Sequence, residues 1–215
     1  MSQLILASTS PRRKELLSWL GVNFKVVPSH FDESWQRFDD PVLVVEELAL
    51  AKVRSVARYL ESEEERYLIL GGDTLIEEGG EIFGKAKTEV ELKRMLKRLS
   101  GRKHRVLTGI ALVDTWSGEE RVASEESWVK FIELTEELIE RYLKLPVWRG
   151  KAGGYAIQQD PLGFVESFEG NLSNIIGLPF GLTKSLLEEM GMITRETEVK
   201  WLEDRLVGKL GKGER

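Results

Sequence analysis

Strands and helices alternate along the first part of the chain, and this order limits the fold more than any other feature. Residues 4–7 form a short apolar run typical of a buried strand. A helix is predicted over residues 11–20, because Ser10 is a favourable N-cap, Pro11 suits the first helical turn and Gly21 follows the last apolar position. A second strand is predicted at residues 23–27 and a long amphipathic helix at residues 41–60. Such alternation predicts an α/β protein.

The second part of the chain is richer in strands. An apolar strand is predicted at residues 67–70, followed by a hairpin around Gly79 and Gly80. Thr88 and Glu91 form the pattern of a capping box for a helix that ends near residue 99. Two long β-rich runs follow at residues 104–114 and 121–133, and helices are predicted at residues 135–143 and 179–190. Together these segments predict a mixed sheet.

Composition removes several classes of chemistry. The 215 residues include no cysteine and two histidines, so thiol nucleophiles, disulfides, thiolate metal sites and multi-histidine metal clusters are excluded. A formal charge of −5 lacks the basic footprint of a protein that binds nucleic acid, so we expect no nucleic-acid partner. No apolar run approaches the roughly 20 residues of a membrane span, and a cytoplasmic protein without a membrane partner is expected. Carboxylates, lysines, arginines, hydroxyls and backbone amides remain, and they suit phosphate chemistry.

A strand-to-helix turn at residues 8–13 is the first candidate site. Backbone N–H groups point outward at a helix N-terminus, and the hydroxyls of Ser8 and Ser10 add further donors. Arg12 and Arg13 lie in the first helical turn, where each cation opposes the helix dipole at a cost of about 0.3–1 kcal/mol. A bound anion would reverse that cost. A plain N-cap with two solvated arginines explains the same residues.

Asp73 follows an apolar strand in the run Gly71-Gly72-Asp73-Thr74. Ligands collect at the carboxyl ends of strands in open α/β sheets, where a carboxylate can hold Mg²⁺ or orient a water molecule. An aspartate in an ordinary strand-end turn is the more common use of this residue type, and it is favoured when the run is considered alone.

Four other features are individually weak. Lys52 lies at the edge of an apolar helical stripe, which favours a packed stem with its ammonium in water. Lys85 follows Gly84 in a loop that lacks the spacing of a P-loop. The Gly-rich segment at residues 150–158 exposes amides and ends in Gln158, but it could also be a flexible connection. Glu33 has no local context, and alone it indicates a surface acid.

The order of these motifs resembles the Maf family of nucleoside triphosphate pyrophosphatases over nearly the whole chain. The matching runs are Leu4 to Leu17, Asp32-Glu33, Leu50-Ala51-Lys52, Gly72-Asp73-Thr74, Gly84-Lys85, Leu99-Ser100-Gly101, His104, Thr108-Gly109, Lys151 to Tyr155, Asn174 and Gly177-Leu178-Pro179. The resemblance implies hydrolysis between the α and β phosphates of a nucleoside triphosphate, and it implies a divalent metal such as Mg²⁺, Mn²⁺ or Co²⁺. It also implies a homodimer and an α/β fold with a mixed twisted sheet in two lobes around a deep cleft, similar to inosine triphosphate pyrophosphatases.

The resemblance also implies roles for individual residues. Asp73 matches the presumed catalytic base, and Glu33 would be a second metal contact beside it. The resemblance places six other residues in the site. Lys85 would belong to the catalytic groups. The substrate contacts would be Ser8, Ser10, Arg12, Arg13 and Lys52.

Thr74 and Gln158 match the subgroup that acts on dTTP and UTP, whereas the subgroup for 7-methylguanosine triphosphate carries glutamine and glutamate there. Ala156 and Gln159 stand where glycine is common or usual. These two departures leave the preferred nucleotide open, with CTP or a modified pyrimidine nucleotide among the alternatives.

Domain organisation and two rival functions complete the expectations. Residues 1–191 are expected to form a single catalytic domain of two lobes, and residues 192–215 a charged C-terminal helix or tail. One rival is a non-catalytic nucleotide-binding regulator of cell division. The other is a serine hydrolase that uses Ser8 or Ser10 with a lysine base, although the chain shows no Gly-x-Ser-x-Gly elbow.

Overall fold

A computed structural model describes residues 3–29, 31, 40–61, 65–192 and 198–210. Its centre is a seven-stranded sheet in the order β2-β1-β3-β5-β6-β7, with β4 beside β3. The strands are β1 (Gln3–Leu6), β2 (Phe24–Val26), β3 (Tyr67–Glu78), β4 (Glu81–Phe83), β5 (Lys103–Asp114), β6 (Glu120–Phe131) and β7 (Val165–Glu169). The helices are α1 (Pro11–Trp19), α2 (Pro41–Tyr59), α3 (Glu89–Leu99), α4 (Glu136–Leu143), α5 (Leu172–Ile176), α6 (Phe180–Glu189) and α7 (Val199–Leu210).

The sheet is mixed, which confirms the predicted fold class. β1 pairs in parallel with both β2 and β3, whereas β3, β5, β6 and β7 pair antiparallel in turn. The helices begin where their caps predict. Ser10 Oγ accepts from the Arg13 amide at 3.4 Å, and Asp40 and Thr88 cap α2 and α3 in the same way.

β3 is longer than the sequence predicts. The prediction that Gly71 to Thr74 form a turn at the strand end is wrong, because β3 continues through them opposite β5, with Asp73 facing Gly109. Gly71 on β3 and Gly109 on β5 are sites of close packing between the sheet and α2. A Cβ at Gly71 would lie 2.6 Å from Val53 Cγ1, and one at Gly109 would lie 2.5 Å from the Val45 carbonyl oxygen, both on α2. The two glycines therefore let α2 lie close against the sheet.

One edge of β3 is only partly covered by strands. β5 pairs along the other edge from Leu68 to Glu77, so β1 and β4 must share the remaining edge. β1 covers it at residues 67–70 and β4 at residues 76–78, so no strand among the described residues pairs with residues 71–75 on that side. Asp73 lies in the middle of this opening.

Helices cover both faces of the sheet. α2 packs on one face through its buried stripe of Val45, Ala49, Val53 and Val56. The opposite face holds the larger apolar core, which includes residues of α1, α3, α5, α6 and α7. In the part of the chain that the structure describes, no helix is both long and apolar enough to cross a bilayer.

Two elements near the C-terminal end were not predicted. β7 and α5 have five residues each, too short for a clear periodic pattern. α7 follows as predicted, but it buries Leu202 and Leu206, and its Glu203 carboxylate accepts from the Ser173 amide at 3.1 Å. The division into two lobes and the boundary at residue 191 stay predictions.

Candidate active site

A cavity of about 430 Å³ occupies the opening beside β3. Its walls come from the turn between β1 and α1, from α2, from β3, from Lys85 beyond β4, from residues 149–158 and from α5. Separate stretches of the chain therefore converge on one cavity. The predicted site residues that line it are Ser8, Ser10, Arg12, Arg13, Lys52, Asp73, Thr74, Lys85 and Gln158.

Lys52 and Asp73 form a buried ion pair in this cavity. The Lys52 ammonium donates to Asp73 Oδ1, and the two residues are only 5% and 8% exposed. The expectation that the Lys52 head group lies in water is therefore wrong. α2 directs Lys52 toward the sheet at the point where Gly71 lets the helix approach. Asp73 Oδ2 receives no hydrogen bond from the described residues, so it can accept from a water molecule or hold a cation.

The turn between β1 and α1 is organised by its own hydroxyls. Ser8 Oγ accepts from the Ser10 amide at 3.2 Å, and Ser10 Oγ is occupied as the cap of α1. Arg13 turns away from the helix end, where Nε donates to the Gly177 carbonyl at 2.8 Å and Nη2 donates to Thr74 Oγ1 at 2.9 Å. These bonds remove the predicted conflict between Arg13 and the helix dipole, because the guanidinium lies beside acceptors.

Arg12 behaves differently from its neighbour. Its guanidinium lines the cavity, and burial lowers its pKa from the ordinary value. Within the described residues it makes neither an ion pair nor a hydrogen bond. A partly buried cation without a carboxylate favours an anionic ligand.

A chain of hydroxyls orders Thr74. Thr108 Oγ1 donates its single hydrogen to the Asn174 carbonyl at 2.9 Å, so it can only accept from Thr74 Oγ1, which lies 3.0 Å away. Thr74 Oγ1 therefore donates to Thr108 and accepts from Arg13. Its hydrogen is committed within the protein, and its oxygen is a hydrogen-bond acceptor for the Arg13 side chain.

The Gly-rich segment forms the wall opposite β3. Ala152 makes an isolated β-bridge with Lys85, and the Gly153 amide donates to the Gly84 carbonyl at 2.9 Å. Gly153 and Gly154 have φ values of 60° and 74°, which side chains other than glycine rarely adopt. The alternative prediction of a flexible connection does not fit this segment, because backbone hydrogen bonds join it to Gly84 and Lys85.

A buried aromatic cluster supports that wall from behind. His104 Nε2 lies 2.7 Å from the Tyr155 hydroxyl, and His104 is fully buried. Burial lowers the pKa of His104 to about 4, so its ring is neutral at pH 7. Burial also raises the pKa of Tyr155, with smaller contributions from Asp160 and Tyr142, so the phenol keeps its proton.

Positive charge dominates the cavity. Among its described lining residues, Asp73 is the only carboxylate, whereas the cationic side chains are Arg12, Arg13, Lys52, Lys85, Arg149 and Lys151. Among these described residues, six cations against one carboxylate give a formal excess of five positive charges. A small polyanion would suit such a lining, and the cavity volume suits a nucleotide-sized ligand.

The cavity lining includes two cationic residues that the sequence did not single out, and one predicted site residue lies outside the described part of the chain. Arg149, which stacks over Trp148 at 4.6 Å, had no signal in the sequence beyond its charge. Lys151 belongs to the Gly-rich motif but was not singled out. Glu33 lies outside the described residues.

The donor set for a metal is small. Within the described part of the chain, no three histidine or acidic residues are grouped closely enough to hold a metal ion by themselves. Mg²⁺, however, is commonly held by one or two carboxylates together with substrate phosphates and water. Asp73 Oδ2, which accepts no protein donor in the described residues, fits that mode.

Comparisons with known proteins found similar sequences over most of the chain. A family model described as Maf-like protein matches residues 3–190. A dTTP/UTP pyrophosphatase of Symbiobacterium thermophilum is 43% identical over 192 residues, which cover 89% of this chain and 95% of that protein. A dTTP/UTP pyrophosphatase of Ruminiclostridium cellulolyticum is 40% identical over 191 residues, 88% and 97% of the two chains.

Among solved structures, a nucleoside-triphosphatase / dITP/XTP pyrophosphatase from Mycobacterium abscessus matches at a TM-score of 0.40 and 12% identity, over 87% of this chain and 94% of that one. The family assignment rests on the sequence matches.

Proposed function

The chain belongs to the Maf-like protein family, and from that membership and the cavity we propose that it hydrolyses nucleoside triphosphates to the monophosphate and pyrophosphate. The proposed substrates are dTTP and UTP, because both relatives are named dTTP/UTP pyrophosphatase. The observation that carries the proposal is the buried Asp73 carboxylate, which among the described lining residues shares the cavity with six cationic side chains.

The proposed reaction is attack of a water molecule on the α-phosphorus. The bond from that phosphorus to the bridging oxygen of the β-phosphate breaks, and pyrophosphate leaves. Asp73 Oδ2 would accept the proton of the attacking water or hold it in line, while the Lys52 ammonium fixes the carboxylate through Oδ1. Arg12 and Lys85 would balance charge on the phosphates, which is the main task of an enzyme in phosphoryl transfer.

A divalent cation is part of the proposal. Mg²⁺, Mn²⁺ or Co²⁺ would be held by Asp73, with Glu33 as the second carboxylate, and would neutralise charge on the phosphates. The ion pair with Lys52 supports this arrangement, because it leaves one carboxylate oxygen of Asp73 for another ligand.

Recognition of the base would fall to Gln158. A carboxamide can accept from the N3–H of uracil or thymine and donate to a ring carbonyl at the same time. If the amide were flipped it would match cytosine, so weaker turnover of CTP is consistent with this proposal. Gln158 lines the cavity at the end of the Gly-rich wall, which supports such a contact.

The test is pyrophosphate release from purified protein against a panel of canonical and modified triphosphates, with and without Mg²⁺ or Mn²⁺. We expect Asp73→Asn to lower kcat by at least about 100-fold, the smaller end of the range for a positioned acid or base. Asp40→Asn is the matched control, because asparagine also caps a helix well and Asp40 is exposed. Turnover by Asp73→Asn equal to that of the wild type would contradict the mechanism.

The rival functions predict different results. A nucleotide-binding regulator would bind triphosphates without releasing pyrophosphate, and it is not favoured because its relatives are named as pyrophosphatases. A serine hydrolase would be labelled by a serine-reactive probe at Ser8 or Ser10, but Ser10 Oγ is already the helix cap. A homodimer and a cytoplasmic location stay predictions, and light scattering in solution tests the first.

A further inference from the structure

Lys151 is a buried cation that the proposed mechanism does not use. It is only 7% exposed, and it lines the same cavity as Asp73. Its ammonium donates to the Val147 carbonyl and, at 3.0 Å, to Gln159 Oε1. An ammonium has three N–H donors, so these two bonds leave one donor for a ligand.

The acceptors of Lys151 are both neutral. Within the described residues, no carboxylate forms an ion pair with its ammonium, although a buried charge is normally compensated by an opposite one. Burial lowers the pKa of Lys151, and the nearby charge of Arg12 lowers it further. Arg12 likewise makes no ion pair among the described residues. Among the described residues, the cavity therefore holds two like charges, Arg12 and Lys151, that influence each other and form no ion pair with a carboxylate.

Asp73, the carboxylate among the described lining residues, forms its ion pair with Lys52, whereas the acceptors of the Lys151 ammonium are the Val147 carbonyl and Gln159 Oε1. If Lys151 served only to link the Val147 carbonyl to the Gln159 side chain, a neutral hydrogen-bond donor would be enough. The positive charge of its ammonium is explained if an anionic ligand binds beside it.

We propose that Lys151 is a phosphate-binding residue of this cavity, that Arg12 and Lys151 together hold one anionic group of the substrate, and that Gln159 is the positioning residue for the Lys151 ammonium. The proposal rests on the function proposed above and assigns part of its substrate contact. Gln159 does not touch the phosphate. Its side-chain oxygen restrains the ammonium so that the third N–H is directed into the cavity.

Inorganic pyrophosphate is the probe, because its binding can be measured whether or not the protein turns over a nucleotide. Calorimetric titration in a buffer containing Mg²⁺ would compare the wild type with Lys151→Gln and Lys151→Arg. We expect Lys151→Gln to bind pyrophosphate at least about 10-fold more weakly, which is the usual size of a hydrogen bond to a charged group. Lys151→Arg keeps the charge and should stay within about 3-fold of the wild type.

Lys130→Gln is the matched control, because it removes the same charge from an exposed pair with Glu166 and should leave the affinity unchanged. Affinity of Lys151→Gln within about 2-fold of the wild type would overturn the proposal, as would a wild type that binds no pyrophosphate. Failure of the proposed function would appear separately, as wild-type protein that binds pyrophosphate but releases none from dTTP.

Gln159→Leu tests the positioning role and also decides the matter if Lys151→Gln does not fold. We expect it to raise KM for dTTP about 3-fold or more at unchanged kcat, with a matching loss of pyrophosphate affinity. In the Lys151→Gln background the same change should have no further effect, because the two residues act through one ammonium. Unchanged affinity in Gln159→Leu, or additive losses in the double variant, would overturn the positioning role.

Discussion

Acid should destabilise this protein through one residue, His104. The ring is fully buried behind the cavity wall, with its Nε2 beside the Tyr155 hydroxyl and its edge contacts with Phe131 and Tyr155. Burial lowers its pKa from 6.5 to about 4. Between these two values the unfolded chain binds a proton that the folded chain excludes, so stability falls as the pH falls.

The size of the effect follows from the two pKa values. Their difference corresponds to at most about 3 kcal/mol at 1.36 kcal/mol per pKa unit. The contribution is fully present above pH 6.5 and is lost as the pH falls toward 4. Between pH 7 and pH 4.5 the expected loss is about 2–3 kcal/mol, a large fraction of the stability of an ordinary domain.

Urea unfolding of the wild type and of His104→Gln at both pH values measures this loss. Glutamine does not titrate but can still bond to the Tyr155 hydroxyl. The carboxylates titrate in both proteins, so their contribution cancels and the variant should lose about 2–3 kcal/mol less than the wild type on acidification. Equal losses in the two proteins would refute the reasoning. A pKa near 6.5 for the His104 ring by NMR would refute it independently.

Three further predictions concern the site and its support. Thr74→Val removes an acceptor of the Arg13 guanidinium and should lower kcat/KM for dTTP about 10- to 100-fold. Thr74→Ser keeps the hydroxyl and should stay near wild type. Equal changes in kcat/KM for the two variants would contradict the chain of hydroxyl hydrogen bonds. Gln158→Glu can accept but not donate, so it should lose the preference for UTP over purine triphosphates in a competition assay, and an unchanged profile would remove Gln158 from base recognition. Gly109→Ala should cost about 1–3 kcal/mol in urea unfolding because the added Cβ meets a carbonyl oxygen of α2, while Gly84→Ala, with open space around it, is the control that should change little.

Local features of the fold could be read directly from the chain. The caps Ser10 and Thr88, the hairpin glycines Gly79 and Gly80, and the apolar stripe of α2 all appear where they were predicted. Each depends on residues within about one or two turns of chain, so neighbours in the sequence contain the necessary information.

Several site features could not be read in this way. In the sequence, the pair Gly71 and Gly72 resembles a turn. In the structure, α2 packs so close to the strand at Gly71 that a Cβ there would contact Val53. Lys52 lies on the edge of a helical stripe, and periodicity alone cannot say whether that edge faces water or a carboxylate. Lys151 is 7% exposed in the folded chain, where its neighbour Ala152 bridges to Lys85, a residue distant in sequence.

The sequence by itself determined the class of sheet, the starts of α1 and α3 and the kinds of charged group available for phosphate chemistry. Only the tertiary structure decided which of those groups meet. Arg13 reaches the carbonyl of a residue 164 positions away, and Asp73 meets Lys52 across the boundary between helix and sheet. Such contacts depend on strand register and on how closely helices approach the sheet, which arise from packing across the whole molecule and not from neighbouring residues.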